Sequence, residues 1–193
     1  MRRVALAAAL VALALSGAAA GGSKLAFRGT ALNPPLKAPS FSLRDQSHRL
    51  VSILPAHGRV TVVAFLYTHC PDVCPLIADH LNLALRALGR DRSDVRVLAI
   101  SVDPAHDTPA AVKHFVRVHR LLPQFRYLTG TRKQLAPVWS GFHIAAEPGP
   151  NGVVSHSAFE LLVDAQGRER ALYDSTVRSS DVVHDVRLLL ADR

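Results

Sequence analysis

Only two of the 193 residues are cysteine, too few for a framework of several disulfides. A closed zinc site built on them would need two further ligands. Aromatic residues are scarce too, at 6% of the chain, and the arginines are scattered rather than gathered into a basic patch. A nucleic-acid partner is therefore not expected, since that interaction draws on concentrated positive charge. No internal repeat occurs, and no low-complexity stretch follows the first twenty residues.

Hydrophobic residues make up 49% of the chain, enough at this length to bury the core of one domain. The first twenty residues stand apart. Arg2 and Arg3 precede an apolar run from Val4 to Leu15, and Ser16 to Ala20 puts small residues at the −3 and −1 positions. Residues 1–20 thus read as a signal peptide or, because the run counted through Ala20 reaches about 17 residues, as an uncleaved membrane anchor. Both readings place the rest of the chain outside the cytoplasm. The cleavage region after the run holds no cysteine to accept a lipid. Charge is moderately basic, a formal +8 that falls to +6 without Arg2 and Arg3. That suits weak attraction to an anionic membrane surface or an acidic partner.

Residues 21–38, rich in Gly, Pro and small side chains, read as a flexible tether. Dense patterning starts at residue 39 and runs to 193. A short hairpin is expected over Phe41–Ile53, turning at Asp45–His48. Arg59–Tyr67 and Val95–Asp103 are continuous β-branched and apolar runs, the mark of strands buried on both faces. Leu76, Ile77, His80, Leu81, Leu83, Ala84 and Leu88 recur at helical spacing before a stop at Gly89. Thr108 caps a second helix with Pro109 at its first position. A strand at Phe125–Leu128, a helix at Arg132–Phe142, strands at Val154–Asp164 and Arg168–Tyr173, and a helix over Ser180–Leu190 complete the order. Alternating strands and helices imply an α/β domain with a central sheet flanked by helices.

Both cysteines lie in Tyr67-Thr68-His69-Cys70-Pro71-Asp72-Val73-Cys74-Pro75, with three residues between them and directly after a buried strand. Proline is tolerated in a helix only within its first turn, so Pro75 places the helix start near Cys74. Free N–H groups and the helix dipole at that position favour thiolate over thiol. Three uses stay open. A structural disulfide would close a very short loop and contribute little. A redox pair suits the position, although the familiar motif has two intervening residues. A metal site suits the ligands: thiolates favour Cu(I), and imidazole suits copper in either oxidation state. Among ten histidines, His80, His114, His119 and His184 fall in expected helices. His57, His106 and His143 lack a supporting motif, and His69 adjoins Cys70, where neighbours in an extended segment point opposite ways. His156 differs, because it follows the loop Pro148–Gly152 on an alternating strand that can face the cysteine loop.

"FLYTHCPDVCP", then "SVDPAHDTP", "LTG", "VVSHS" and "LVDAQG" in that order resemble the Sco/SenC family of copper-binding, thioredoxin-like proteins, from about Pro39 to Leu190. The resemblance implies a thioredoxin-like mixed sheet with an N-terminal and an inserted hairpin. It implies copper, as Cu(I) or Cu(II), on Cys70, Cys74 and His156. Asp72 then corresponds to a position that shapes the cysteine loop, and Asp103 to a group behind the ligands or simply the cap of its turn before Pro104. His106 departs from a frequent arginine and Ser155 from a common acidic residue. The implied activity is that of a metallochaperone delivering copper to the CuA site of cytochrome c oxidase subunit II. The alternative is a thiol–disulfide reductase in which Cys70 and Cys74 are the redox pair that keeps the CuA cysteines reduced. A peroxidase would need an activated single cysteine and is the weaker reading. The same resemblance leaves room for an upstream copper donor or thiol reductant, and the N-terminal segment, cleaved or retained, implies a place in the periplasm or on the outer face of the cytoplasmic membrane.

Overall fold

The computed structural model describes residues 26–54, 58–149, 153–157 and 159–193. The expected leader, His57 and residues 150–152 lie outside the described residues. Two strands with no polar face form the centre. β4 (Val60–Leu66) and β5 (Val95–Ser101) are buried at every position and pair in parallel, with Leu66 opposite Ser101. Because both strands end at one level, the segments after them leave the sheet side by side. β6 (Phe125–Thr129) extends the parallel set beside β5.

Antiparallel strands complete the sheet on both sides. Beyond β6 lies the expected hairpin, β2 (Ser42–Asp45) and β3 (Leu50–Ser52). Beyond β4 lie β9 (Phe159–Val163), β10 (Arg168–Asp174) and then β1 (Thr30–Lys37). The eight strands run β1-β10-β9-β4-β5-β6-β2-β3, the mixed, helix-flanked sheet of the thioredoxin-like expectation. Strand β1 falls inside the segment read from sequence as a tether. Its register with β10 is interrupted between Ala31 and Leu36, which accommodates Pro34 and Pro35. Proline cannot donate to a ladder and is tolerated at a sheet edge.

Among the described residues four α-helices surround the sheet: α1 (Val73–Ala87), α2 (Pro109–Val118), α3 (Arg132–Gly141) and α4 (Ser179–Ala191). Thr108 accepts from the Ala111 N–H to cap α2, and Thr131 with Gln134 forms a capping box on α3. The α1 residues Cys74, Ile77, Ala78, Leu81, Ala84 and Leu85 are buried. Leu76 and Leu83, counted with that stripe from sequence, lie on the outer side and are 55% and 52% exposed. After α3, Phe142 packs edge-on against Phe65 of β4, with ring centroids 5.5 Å apart.

The expected strand Val154–Asp164 is divided. β7 (Ala146–Pro148) and β8 (Val154–His156) form a separate two-stranded ribbon, and β9 begins at Phe159 in the main sheet. Alternation alone cannot reveal that one run serves two sheets. Among the described residues, no helix is long and apolar enough to cross a membrane.

One buried carboxylate anchors the N-terminal segment. Asp185 of α4 accepts from the backbone N–H of Arg28 and Gly29, each at 2.9 Å, and from the Tyr173 hydroxyl at 2.9 Å. Asp185→Ala would strand these donors, so the unfolding free energy should fall by about 2–3 kcal/mol. A urea titration showing a loss under about 0.5 kcal/mol would remove Asp185 from this role.

Glu160 in β9 is 1% exposed, and its Oε2 has no hydrogen-bond partner among the described residues. Burial, aided by the negative charge of Asp174, pushes its carboxyl from 4.5 up to about 8. The folded state then holds a proton that the unfolded chain releases, so this group's contribution is full below pH 4.5 and is lost as pH rises through about 8. Glu160→Gln should stabilise the protein at pH 7.5 by on the order of 2 kcal/mol and flatten that pH slope. Parallel stability curves for variant and parent between acid and neutral pH would refute it.

Candidate metal centre

Residue 67 is where β4 leaves the sheet, and its exit path is held by a carboxylate from the next loop. Asp107 Oδ1 accepts the Thr68 N–H at 2.8 Å and the Thr68 hydroxyl at 2.7 Å. Its Oδ2 accepts the Ser101 hydroxyl at 2.6 Å and the Tyr127 hydroxyl at 3.1 Å. Burial pushes the Asp107 carboxyl up, against the pull of these four donors. Val102 N–H meets the Leu66 carbonyl at 3.0 Å, which keeps the two exits together.

The cysteines follow directly. Cys70 sits in the loop and Cys74 in the first turn of α1, where Pro75 is tolerated as expected. Both are buried, unbridged thiols, but they are not equivalent. Cys70 Sγ accepts from the Cys74 thiol, the backbone N–H groups of Cys74 and Asp72, and the Tyr67 hydroxyl. The Cys74 contact foremost, opposed by burial, brings the Cys70 thiol down from 9.0 to about 5. Cys74 goes the other way. Its hydrogen bond to Cys70 and then its burial hold it well above the ordinary thiol value. Cys70 has more donors and the less buried position, so of the two coupled thiols it is the one held down and Cys74 the one held up.

Tyr67 joins this pair to the β7–β8 ribbon. Burial and the Cys70 sulfur push its phenol up to about 12, so it stays protonated and donates to Cys70. The same hydroxyl accepts the Val154 N–H from β8. His156 lies two residues further along that strand, its backbone paired with Ala146. The His156 side chain lies outside the described residues. Ser155, between them, is exposed.

Asp72 is the residue before α1 and makes no side-chain cap hydrogen bond. It reaches the site through its backbone N–H to Cys70. Asp103 is 6% exposed. Its Oδ1 accepts the Ala105 N–H at 3.2 Å, closing the turn, while Oδ2 lies 2.8 Å from His106 Nδ1 and 3.2 Å from His69 Nε2. The two imidazole rings are 4.9 Å apart.

Sequence reasoning missed three participants. Asp107 stood inside "DPAHDTP" with no assigned part, Tyr67 was read only as the end of a strand, and His69 was set aside because it adjoins Cys70. The only local signal was the buried strand running straight into the cysteine motif.

The chain is similar to known proteins along most of its length. A SCO2-like protein of Rickettsia conorii is 29% identical over 134 residues, 66% of this chain and 64% of that relative. The chain therefore matches just under two thirds of the relative's own length. Bradyrhizobium japonicum ScoI, solved with copper bound, is 30% identical with a TM-score of 0.70, covering 80% of this chain and 99% of that one. BsSco, in which a disulfide switch was identified and which is a member of the Sco family of cytochrome c oxidase assembly proteins, is 25% identical. Its TM-score is 0.69, over 83% of this chain and 97% of that one. The SCO1/SenC family model matches residues 30–191, and with the cysteine loop, the inserted ribbon and the mixed sheet all inside that span, the chain belongs to the SCO1/SenC family.

Proposed function

We propose that this protein is an extracytoplasmic copper metallochaperone for cytochrome c oxidase, holding copper on Cys70, Cys74 and His156 and passing it to the CuA site of subunit II. The observation that carries this reading is the pair of unbridged, buried thiols at the start of α1, tied through the Tyr67 hydroxyl to the strand bearing His156. Copper is the cargo. Two thiolates and one imidazole suit Cu(I), and the imidazole also accepts Cu(II). Cys70 offers a thiolate ready to bind, while Cys74 must release its proton as the ion arrives. A three-ligand site leaves one side open, so an incoming thiolate from the acceptor displaces the ligands one at a time. The copper-bound relative ScoI supports the cargo, and the Sco oxidase-assembly relative supports the destination. The N-terminal apolar run, whether cleaved or retained as an anchor, would put this chemistry in the periplasm or at the outer face of the membrane.

A second reading rests on the same asymmetry. Cys70 thiolate attacks a CuA-site disulfide and releases one partner thiolate, forming a mixed disulfide. Cys74 then loses its proton and attacks Cys70 Sγ, and the second partner sulfur leaves reduced. Two electrons pass to the partner as the Cys70–Cys74 disulfide forms, and an external thiol reductant restores the pair. The disulfide switch of BsSco favours keeping this alternative.

His156→Ala should weaken Cu(I) binding to the reduced protein by at least about tenfold in a competition titration. Unchanged affinity and stoichiometry would rule out the three-ligand site. If copper-loaded protein fails to metallate a subunit II fragment while the dithiol form reduces that fragment's disulfide, the reductase reading takes over.

Protonation gives a second check. With Cys70 ionised above about 5 and Cys74 protonated, binding Cu(I) at pH 7 should release about one proton per ion. Release should rise further as pH falls below about 5, because Cys70 then also carries a proton to be displaced, and affinity should fall more steeply there. Two protons released at pH 7, measured calorimetrically in buffers of different ionisation enthalpy, would contradict the asymmetric pair.

A further inference from the structure

The loop after β4 and the loop after β5 bring three potential ligands together beside the cysteines: His69, Asp103 and His106. We propose that these residues form a second cation site, separate from Cys70, Cys74 and His156, that takes a borderline divalent ion, Cu(II) in preference to Zn(II).

The geometry is already close to that of a site. Ligand atoms about 2.0–2.1 Å from an ion lie roughly 3 Å from one another at tetrahedral or octahedral angles. His106 Nδ1 and His69 Nε2 stand 2.8 and 3.2 Å from the same Asp103 oxygen. One donor atom from each of the three residues lies within 4.8 Å of those of the other two. Each of these nitrogens faces the carboxylate, and a bound ion would take the place of the proton between them.

The carboxylate is buried and fixed. Asp103 accepts the Ala105 N–H through its other oxygen, and its own N–H is bonded to the Ser101 hydroxyl at 3.2 Å. The two imidazoles are the more exposed partners, with side chains 40% and 58% accessible. An ion can therefore enter from solvent without unfolding either loop. A cavity of about 580 Å³ borders the same turn, lined by Asp103, His106, Arg132 and Val154 among others. It leaves room for water or an anionic ligand to complete the coordination.

Donor chemistry selects the ion. Two imidazole nitrogens and a carboxylate oxygen, with no thiolate, favour Cu(II) and Zn(II) over Cu(I), and the stability order of divalent ions puts Cu(II) ahead. His69 directly precedes Cys70, so a site for oxidised copper would adjoin one for reduced copper.

The test removes the proposed Cu(I) ligands, so its outcome does not depend on them. Full-length protein carrying Cys70→Ser, Cys74→Ser and His156→Ala is titrated with Cu(II) and, separately, with Zn(II). The site predicts one tight equivalent, a Cu(II) paramagnetic resonance spectrum with coupling to two nitrogens, and Zn(II)-induced shifts of the His69 and His106 imidazole resonances. Adding His69→Gln or His106→Gln should each weaken binding at least about tenfold, whereas His114→Gln should not. Asp103→Asn, which keeps an acceptor for the Ala105 N–H, should weaken it as well. Binding unchanged by His69→Gln and His106→Gln, or lost with only one of them, would overturn the site and leave the trio as a hydrogen-bonded clasp between two loops. Imidazole shifts at other histidines but not at these two would overturn it without any further variant.

Discussion

The buried Asp107 carboxylate is the constraint on which the functional end of this molecule depends. Its four donors come from the segment after β4, the end of β5 and the middle of β6. Parallel strands that end at one level would otherwise release their loops independently. Bonded to one carboxylate, the loops leave in a fixed relation, and that relation aims Tyr67 and His69 and sets the approach of Cys70 to α1. A buried carboxylate is costly unless its oxygens are satisfied. Here the cost is offset by hydrogen bonds that also place the site, and Trp139 Nε1–H reinforces the same corner by donating to the Ser101 carbonyl at 2.9 Å.

A symmetric pair of thiols would be a poorer tool for either chemistry considered. The backbone N–H groups at the start of α1 and the Tyr67 hydroxyl all converge on Cys70 and hold its thiol down, while the more deeply buried Cys74 is held up. One sulfur is then an immediate nucleophile or ligand, and the other becomes one only when an ion or a mixed disulfide gives it reason to ionise. Copper transfer and disulfide reduction would thus draw on one electrostatic arrangement. Tyr67 adds the link to β8, because a single hydroxyl donates to the thiolate and accepts from the ribbon.

Much of the fold was legible because its strands and helices obey simple periods. The continuous apolar runs of β4 and β5 could only be central strands, and Thr108 and Pro109 marked a helix start by the cap one offers and the backbone the other presets. The errors lie where one rule met another. Pro34 and Pro35 argued against a strand, yet an interrupted edge register tolerates them. Leu76 and Leu83 matched a helical period but fall on the outer side of α1. The run from Val154 looked like one strand because alternation does not say which partner each half will find.

Sequence by itself determined the local chemistry of the site. Two thiols with three residues between them, a buried strand before them and a proline after them point to a sulfur pair at a helix start, because proline fits a helix only in its first turn. Only the tertiary structure decided which sulfur is the thiolate, since that depends on donors brought from residues 67, 72 and 74 into one pocket. It also decided that His69 and His106, from loops 37 residues apart in the chain, face one carboxylate. Local hydrogen bonding is encoded residue by residue, whereas these convergences exist only once parallel strands have aligned the ends from which the loops depart.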